Sequence, residues 1–273
     1  MPELPEVETV KNGLKTKVLN KKITNCKVLY EGIIAYPDKE NFIKEITNQT
    51  IKDITRRGKF LVFELNDYYL ISHLRMEGKY FIKDSSVELN KHDHVIFELN
   101  NKEELRYNDT RKFGKMHLVK KDELNITPLS KLGLEPWNES LTPKYLKEKL
   151  NKKKAIKTLL LDQSIITGIG NIYADEILFL SKINPETYGS NLTNKNLISI
   201  IDNTKIVLEK AIQSGGTTIH SYASVDGITG RFQQELLVHS KKGEPCPTCN
   251  QEIIKIVVNG RGTYYCPKCQ KKK

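Results

Sequence analysis

Four cysteines near the end of the chain constrain its fold more than any other feature. They form two Cys-x2-Cys pairs with sixteen residues between the pairs: Cys246, Cys249, Cys266 and Cys269. This spacing is typical of a four-cysteine zinc site, in which each pair supplies two thiolates from one tight turn. Between the pairs, Asn259-Gly260 is flanked by β-branched and aromatic residues and predicts a hairpin turn. The alternative, two disulfides, is disfavoured in a reducing compartment, so we expect one structural Zn²⁺.

The same segment carries most of the excess charge. The chain has 273 residues and a net charge of +11, and residues 241–273 hold eight Lys or Arg against two Asp or Glu. A basic end of this kind indicates a polyanionic partner such as DNA, although a solvated tail would have the same composition. Arg261 lies near the expected hairpin tip, where a guanidinium can reach a phosphate.

The sequence also argues against membrane insertion and export. No apolar run approaches the ~20 residues of a membrane span. The N-terminus, M-P-E-L-P-E-V-E, is acidic and lacks the apolar region of a secretory signal. We therefore expect a soluble cytoplasmic protein with no membrane partner. No strong oligomerisation seam is visible, which favours a monomer.

The first half of the chain predicts one helix followed by strands. Over residues 5–18 an apolar stripe recurs at helical spacing, formed by Val7, Val10, Leu14 and Val18. From about 23 to 120, short runs rich in β-formers alternate with turn-like pieces such as N-D and N-N-K. This pattern favours an antiparallel sandwich or barrel.

Helical signals dominate the second half. Thr142-Pro143 predicts a helix start, and a long helix is expected from about 193 to 214, ended by two glycines. The fold class is therefore multidomain α+β. We assign a β-sandwich domain to residues 2–133 and a linker to 134–150. A helical domain follows over 151–240, with a loop at 217–237, and a zinc module occupies 241–273.

The N-terminus offers a nucleophile. If Met1 is removed, Pro2 has a free secondary amine with a pKa near ~7.7–8.0, so a useful fraction is unprotonated at neutral pH. Such an amine can form a Schiff base with a sugar carbon, and the adjacent Glu3 can transfer protons. A proline at a helix start is also an ordinary structural choice, and these residues alone prove little.

Six ordered motifs change that assessment. They are P-E-L-P-E-V-E-T at 2–9, R-R-G-K at 56–59, S-H-L-R-M-E-G at 72–78, N-D-T-R-K-F-G at 108–114, G-I-G-N-I-Y-A-D-E at 168–176, and the C-terminal N-G-R-G-T-Y-Y-C-P-x-C. With them the chain resembles the bacterial formamidopyrimidine-DNA glycosylase family from end to end. The resemblance implies excision of oxidised purines from duplex DNA, followed by strand cleavage through β,δ-elimination.

The resemblance also implies roles for individual residues. Pro2 would attack C1′, Glu3 would protonate the sugar ring oxygen, and Glu6 would help to order the site. Lys59 would contact the phosphate beside the damaged nucleotide. Together with Lys59, three further side chains would hold one strand's backbone: His73, Asn171 and Arg261. The resemblance implies that residues 151–240 form a helix–two-turn–helix DNA-binding domain and that Asn171 lies in this element. The alternative is that Asn171 simply caps a helix.

An enzyme that reaches C1′ must extrude the nucleotide, and apolar wedges fill such gaps in kinked DNA. The family's void-filling set corresponds here to Met76, Arg111 and Phe113, although core packing would also suit a Met and a Phe. Thr217 and Tyr222 stand where the family's lesion loop contacts the base. The histidines at 92, 94, 220 and 239 are interpreted as scattered surface residues, and no catalytic metal is assigned.

Three alternatives stay open at this point. An endonuclease VIII-type enzyme for oxidised pyrimidines is disfavoured by Leu4 and by D-T-R-K-F-G. A noncatalytic DNA-binding relative is disfavoured because Pro2, Glu3 and Lys59 are all present. A zinc module for protein interaction is disfavoured by the basic hairpin tip.

Overall fold

The structure, a computed structural model, describes residues 1–217 and 230–272. The chain divides into two compact units. The first comprises Met1–Ser130 and Gly215–Gly230, and the second comprises Lys131–Ser214 and Arg231–Lys273. The base of the expected loop therefore groups with the N-terminal unit, and the cysteine module groups with the helices.

Within its described residues, the first unit combines two α-helices with two sheets. Its helices are α1 (Leu4–Val18) and α2 (Lys39–Ile46). Its strands are β1 (Ile23–Val28), β2 (Ile34–Tyr36), β3 (Asp53–Arg57), β4 (Phe60–Glu64), β5 (Tyr68–His73), β6 (Lys79–Asp84), β7 (Asp93–Leu99), β8 (Glu103–Asn108) and β9 (Lys115–Lys120). One sheet has the order β1-β7-β8-β6 and the other β2-β9-β5-β4-β3.

The expected sandwich is confirmed with one correction to its strand directions. The pairs are antiparallel except at one edge, where β2 runs parallel to β9. The two sheets share a core with α1, whose predicted stripe is buried at all four positions. Between the sheets, the rings of Phe63 on β4 and Tyr80 on β6 lie 5.6 Å apart.

Helix α2 falls within the region where the sequence predicted only strands. Its N-cap is Asp38, whose side chain accepts from the backbone N–H of Asn41 at 3.0 Å. Phe42 and Ile46 lie one turn apart on its buried face. Three apolar residues over eight positions, Phe42, Ile43 and Ile46, are too short a pattern to distinguish a helix from a strand.

The second unit contains four helices and one hairpin within its described residues. They are α3 (Pro143–Leu150), α4 (Ile156–Leu160), α5 (Asn171–Leu180), α6 (Asn194–Gln213), β10 (Ile254–Val258) and β11 (Arg261–Tyr265). The predicted N-cap at Thr142 is confirmed: its hydroxyl accepts from Tyr145 N at 3.2 Å. The segment 134–150, assigned as a linker from sequence, thus ends in a helix.

The hairpin turn is also confirmed. Asn259 and Gly260 have φ of 47° and 73°, and Val258 pairs with Arg261 across the turn. Positive φ at both central residues is the geometry that favours Asn-Gly. Over the described residues, no helix combines the length and the apolar character needed to cross a membrane.

Candidate active site and nucleic-acid interface

The start of α1 buries the expected catalytic residues. Pro2 is buried, and the side chain of Glu3, at the N-cap, is largely covered. Glu6, one turn further on, accepts a hydrogen bond through Oε2 from the backbone N–H of Glu3 at 2.8 Å. The structure therefore places Pro2, Glu3 and Glu6 together, next to the positive end of a helix dipole.

Glu6 also binds the base of the predicted loop. Its Oε1 accepts from the backbone N–H of Thr217 at 2.8 Å and from the Thr217 hydroxyl at 3.1 Å. The preceding Gly216 has φ of 78°, and a Cβ there would lie 2.8 Å from Glu6 Oε1. A glycine is thus required for this close approach. One carboxylate therefore joins the N-terminal residues to the chain that leads into residues 218–229.

Lys59 occupies a tight turn between two strands. Arg57 on β3 pairs with Phe60 on β4, which leaves Gly58 and Lys59 as a two-residue hairpin loop. Gly58 has φ of 58°, which favours glycine at the first turn position. Lys59 is only 4% exposed.

Helix α1 holds this turn in place through Arg56. The Arg56 guanidinium donates to Glu8 Oε2 at 2.8 Å and to the carbonyl of Gly58 at 3.0 Å. Burial alone would raise the pKa of Glu8, but hydrogen bonds from Lys11 and Arg56 lower it. The charged form of Glu8 is thus stabilised, and the turn that carries Lys59 is fixed to α1.

His73, at the end of β5, is buried and neutral. Burial lowers its pKa to about 3, and the positive charges of Arg75 and Lys59 add to the effect. Its Nδ1 accepts from the backbone N–H of Arg75 at 2.9 Å, so the proton of the neutral ring resides on Nε2. The ring packs edge-on against Phe60, with centroids 4.5 Å apart. His73 can therefore donate one hydrogen bond but carries no charge at neutral pH.

The three expected void-filling side chains stand in solvent rather than in the core. Met76 is 38% exposed and Phe113 is 50% exposed, and Arg111 is exposed as well. The Arg111 guanidinium lies over the Phe113 ring, 4.8 Å from its centroid. The core-packing alternative for Met76 and Phe113 is thereby excluded.

Sequence reasoning missed the residue that shapes this loop. Asp109 is fully buried, and its carboxylate accepts from the backbone N–H of Arg111 at 2.9 Å, of Phe113 at 3.0 Å and of Gly114 at 2.8 Å. A Cβ at Gly114 would lie 1.7 Å from the Tyr107 hydroxyl. The aspartate in N-D-T-R-K-F-G was visible in the sequence, since a buried Asp before a turn commonly accepts from backbone groups.

In the second unit, Asn171 and the hairpin of Arg261 are linked. Asn171 is the first residue of α5, and Gly170 is the N-cap, so the helix-cap alternative for Asn171 is wrong. Its side-chain amide donates to the carbonyl of Gly262 at 3.0 Å. Its Oδ1 is buried and has no hydrogen-bond partner among the described residues. Arg261, immediately before Gly262, is exposed at the start of β11.

A buried ionic network reinforces that link. Lys157 is fully buried, and its Nζ donates to Asp175 Oδ1 at 2.6 Å and to the Gly262 carbonyl at 3.0 Å. Asp175 Oδ2 in turn lies 2.7 Å from His239 Nδ1 and accepts from the backbone N–H of Tyr264. Helices α4 and α5 and strand β11 thus share one buried network.

The adjacent Glu176 anchors a third segment to α5. Its carboxylate accepts three backbone N–H groups, from Leu237 at 2.8 Å, Val238 at 3.0 Å and His239 at 2.8 Å. Burial nevertheless raises its pKa above the usual value. Sequence reasoning missed Asp175 and Glu176 because their hydrogen-bond partners lie up to 89 residues away in the chain.

The four cysteines converge as predicted. Their sulfur atoms all lie within 4.8 Å of one another, with Cys246 to Cys269 at 3.9 Å and Cys249 to Cys266 at 3.5 Å. Zn–S bonds of about 2.3 Å in a tetrahedron would separate the sulfurs by about 3.8 Å, so the cluster fits Zn²⁺. Hydrogen bonding from the Gln251 backbone lowers the pKa of Cys249 to about 7, whereas burial and neighbouring thiols raise the pKa of Cys269 to about 12. A divalent cation would relieve this crowding of potential negative charge.

The interpretation of the histidines as surface residues is wrong at two positions. His94 is 3% exposed, and its Nε2 lies 2.8 Å from the carbonyl of Asp109. His239 is 8% exposed and belongs to the Asp175 network. Tyr222 and His220 lie outside the described residues.

Comparison with known proteins agrees with the geometry. Three family models match the chain: the N-terminal domain of formamidopyrimidine-DNA glycosylase over residues 1–116, its H2TH domain over 132–223, and the zinc finger found in FPG and IleRS over 243–272. The formamidopyrimidine-DNA glycosylase of Ligilactobacillus salivarius is 50% identical over 99% of both chains. The chain belongs to the formamidopyrimidine-DNA glycosylase family. The enzyme of the same name from Bacillus subtilis is 47% identical over the full length of both chains.

Solved structures of this family share the fold. The Lactococcus lactis Fpg in complex with DNA containing an abasic site has a TM-score of 0.92 and 42% identity, over 99% of this chain and 100% of that one. The wild-type enzyme with DNA containing N7-benzyl-Fapy-dG has a TM-score of 0.92 and 43% identity over the same shares. The predictions of the family, of an enzyme and of a zinc finger with four cysteine ligands are thereby confirmed.

Proposed function

We propose that the protein is a bifunctional DNA glycosylase and AP lyase that excises oxidised purines, 8-oxoguanine and formamidopyrimidines, from duplex DNA. The observation that carries this proposal is the buried group of Pro2, Glu3 and Glu6 at the start of α1. It combines a potential amine nucleophile, a carboxyl group for proton transfer and a second carboxylate that orders both the N-terminus and the loop base. Relatives about half identical over the whole chain bear the name of this activity.

The chemistry begins at Pro2 once Met1 has been removed. The free nitrogen forms a bond to C1′ of the damaged nucleotide while the C1′–N glycosidic bond breaks, and the base leaves with that electron pair and takes up a proton. The C1′–O4′ bond then opens toward O4′, which Glu3 protonates, and a C1′ iminium remains.

The iminium then permits cleavage of the strand on both sides of the sugar. It acidifies the C2′ proton, so β-elimination breaks the C3′–O bond, and δ-elimination then breaks the C5′–O bond. Water finally hydrolyses the iminium and returns Pro2 to its free amine. While Met1 is attached, the Pro2 nitrogen is an amide and has no free lone pair for this reaction.

The other site residues would bind and distort the duplex. Lys59, His73, Asn171 and Arg261 would contact backbone phosphates, which positions the DNA without reading its sequence. Met76, Arg111 and Phe113 would fill the gap left by the extruded nucleotide; their exposure and the Arg111–Phe113 contact support this role. Thr217, and Tyr222 beyond it, would contact the extruded base. The zinc would hold the hairpin, and the protein would act as a monomer on damaged DNA at the nucleoid.

Borohydride trapping tests the proposal. Protein whose N-terminus is confirmed by mass as Pro2 is compared with protein that retains Met1 and with Glu3→Gln, on a duplex with one 8-oxoguanine opposite cytosine. We expect a covalent adduct, mapped to residue 2, only where the Pro2 amine is free, and reduced strand cleavage by Glu3→Gln. Absence of both adduct and cleavage, with DNA binding intact, would indicate a noncatalytic relative. Faster excision from a duplex with an oxidised pyrimidine than from the 8-oxoguanine duplex would indicate the endonuclease VIII-type activity.

A further inference from the structure

A cavity lined by cations lies in the second unit, beside the hairpin. It has a volume of about 380 Å³ and is lined on one side by Lys153, Lys154 and Thr158, and on the other by Val258 and Asn259. Tyr188, which is 51% exposed, forms part of its wall. Its lining includes two cations and no acidic residue, a composition that suits an anionic ligand.

The lysines project from a fixed backbone. The carbonyl of Lys154 accepts from Gly189 N at 3.0 Å, and that of Lys152 accepts from Ser190 N at 3.1 Å. A Cβ at Gly189 would lie 2.0 Å from the carbonyl oxygen of Leu150, so the two segments approach as closely as a glycine allows. Because their backbone is held, the lysine side chains need lose only their own rotamer freedom when they bind a ligand.

No residue that the structure describes neutralises these cations. Among the described residues, neither Lys153 nor Lys154 forms an ion pair. Asp162 interacts electrostatically with Lys154: burial acts to raise the pKa of Asp162, whereas hydrogen bonds from Ser164 and then the charges of Lys152 and Lys154 lower it. Asp162 is exposed and already bonded to Ser164, so it leaves both lysines free to bind an anion.

Two other sizeable cavities lack this property. One is lined by Lys83 and Arg106, but the carboxylates of Glu88 and Asp93 line it as well, and Arg106 is paired with Glu104 at 2.6 Å. In the other, Arg56 is paired with Glu8 at 2.8 Å. The cavity at Lys153 and Lys154 therefore differs from both, because its lining has no acidic residue and its two lysines form no ion pair with any described residue.

The position of the cavity identifies the anion. Val258, in its wall, pairs across the hairpin with Arg261, and paired residues in antiparallel strands have Cα atoms about 4.5–5.5 Å apart. Phosphates on one DNA strand follow one another at about 3.4 Å along the helix axis. Since Val258 and Arg261 are close neighbours, a DNA strand held at Arg261 would bring an adjacent phosphate towards the cavity, and Tyr188 offers a surface for the intervening sugar.

We propose that Lys153, Lys154 and Asn259 bind a second DNA backbone phosphate, next to the one at Arg261 and outside the damaged nucleotide. This inference rests on the proposed DNA-repair function and extends its contact surface along the flanking duplex. A phosphate here would contribute affinity for damaged and undamaged DNA alike, because it does not read the base.

The test compares two doubly substituted proteins of equal charge. Lys153→Gln/Lys154→Gln removes the cavity cations, and Lys147→Gln/Lys149→Gln removes two exposed lysines of α3 outside the cavity. Affinity for a lesion duplex and for an undamaged duplex is measured over a range of salt concentrations. We expect the cavity variant to bind both duplexes more weakly, with the slope of log K against log salt smaller by about 0.9, and the α3 variant to change by less than half as much.

A scan with neutral methylphosphonates locates the phosphate. At one flanking position the substitution should weaken wild-type binding but have no further effect on the cavity variant, while it still weakens the α3 variant. Equal slopes for the two variants, or no position with this dependence, would overturn the second phosphate site. Failure of the wild type to bind or cleave lesion DNA would instead overturn the proposed function, so the two failures are distinguishable.

Discussion

His73 illustrates how burial changes the role of a single side chain. With a pKa lowered to about 3, His73 is a neutral hydrogen-bond donor rather than a cation. A contact between His73 and a DNA phosphate therefore does not neutralise the phosphate and releases no counterion. We expect His73→Leu to weaken DNA binding about 2- to 10-fold, the net value of one hydrogen bond, with an unchanged salt slope. Fluorescence anisotropy titrations at several salt concentrations would measure both quantities.

Arg261→Gln is the matched comparison, since it removes a charged phosphate contact and should reduce the slope by about 0.9. A smaller slope in His73→Leu would show that the histidine is charged in the complex.

The His73→Leu variant also reports on the stability of the protein. The folded pKa of about 3 lies below the unfolded value near ~6.5, so the free energy of unfolding falls as pH drops from about 6.5 towards 3. This acid sensitivity should be weaker in His73→Leu.

Helices α4 and α5 depend on the buried pair of Lys157 and Asp175. Removal of one member of a buried ion pair leaves an uncompensated charge and costs about 3–5 kcal/mol. We expect Lys157→Met and Asp175→Asn each to lower the free energy of unfolding by that amount, and the double variant to lose 1–3 kcal/mol less than the sum. Urea titrations followed by the fluorescence of Trp137, the single tryptophan, would report on this unit, because its indole donates to Glu209 of α6 at 2.7 Å.

An exposed ion pair provides the comparison. Lys272 and Glu186 lie 3.4 Å apart with side chains 64% and 42% exposed, and Lys272→Met should cost no more than about 1 kcal/mol. Additive losses in the double variant of Lys157 and Asp175 would contradict a direct coupling between them. Weaker DNA binding by Lys157→Met would further indicate that its bond to the Gly262 carbonyl positions Arg261.

The elements differ in how far local sequence predicts them. Helices α1, α3 and α6 follow from an apolar stripe or a cap, and the hairpin follows from Asn259-Gly260, because each of these signals acts within a few residues. Helix α2 has only Phe42, Ile43 and Ile46 as apolar residues and was not predicted. The Lys157 network could not be predicted either, since its partners are distant in the chain and a lysine in a basic sequence normally indicates a solvated surface.

The candidate site shows the same limit. The zinc ligands follow from residue type and spacing, whereas Pro2 and Glu3 have suitable chemistry but receive their predicted roles only through the family resemblance. Glu6 was assigned only a general ordering role, since its bonds to Thr217 span 211 positions. Asp109 was overlooked although it shapes the loop of Arg111 and Phe113, because its contribution lies in backbone hydrogen bonds rather than in a contact with DNA.

The division of the protein into two units makes a distinct prediction for metal removal. The zinc cluster packs into a small core with Phe179 of α5, Val238 and Ile253, whereas the large core of α1 and the two sheets belongs to the first unit. Without the metal, the hairpin that carries Arg261 loses its support, because the thiols alone provide no covalent link between its ends. We expect a strong chelator to abolish DNA binding while the first unit keeps its tertiary structure.

Near-UV circular dichroism can follow the first unit through its buried tyrosines. Tyr80 and Tyr107 are 2% and 0% exposed, and their rings lie 5.2 Å apart. Their signal should persist after chelation, the DNA complex should be lost, and one equivalent of Zn²⁺ should restore binding. Unaltered binding by metal-free protein would show that the hairpin is not part of the interface. All four cysteine ligands belong to the second unit. Loss of the tyrosine signal would therefore show that the metal also supports the first unit.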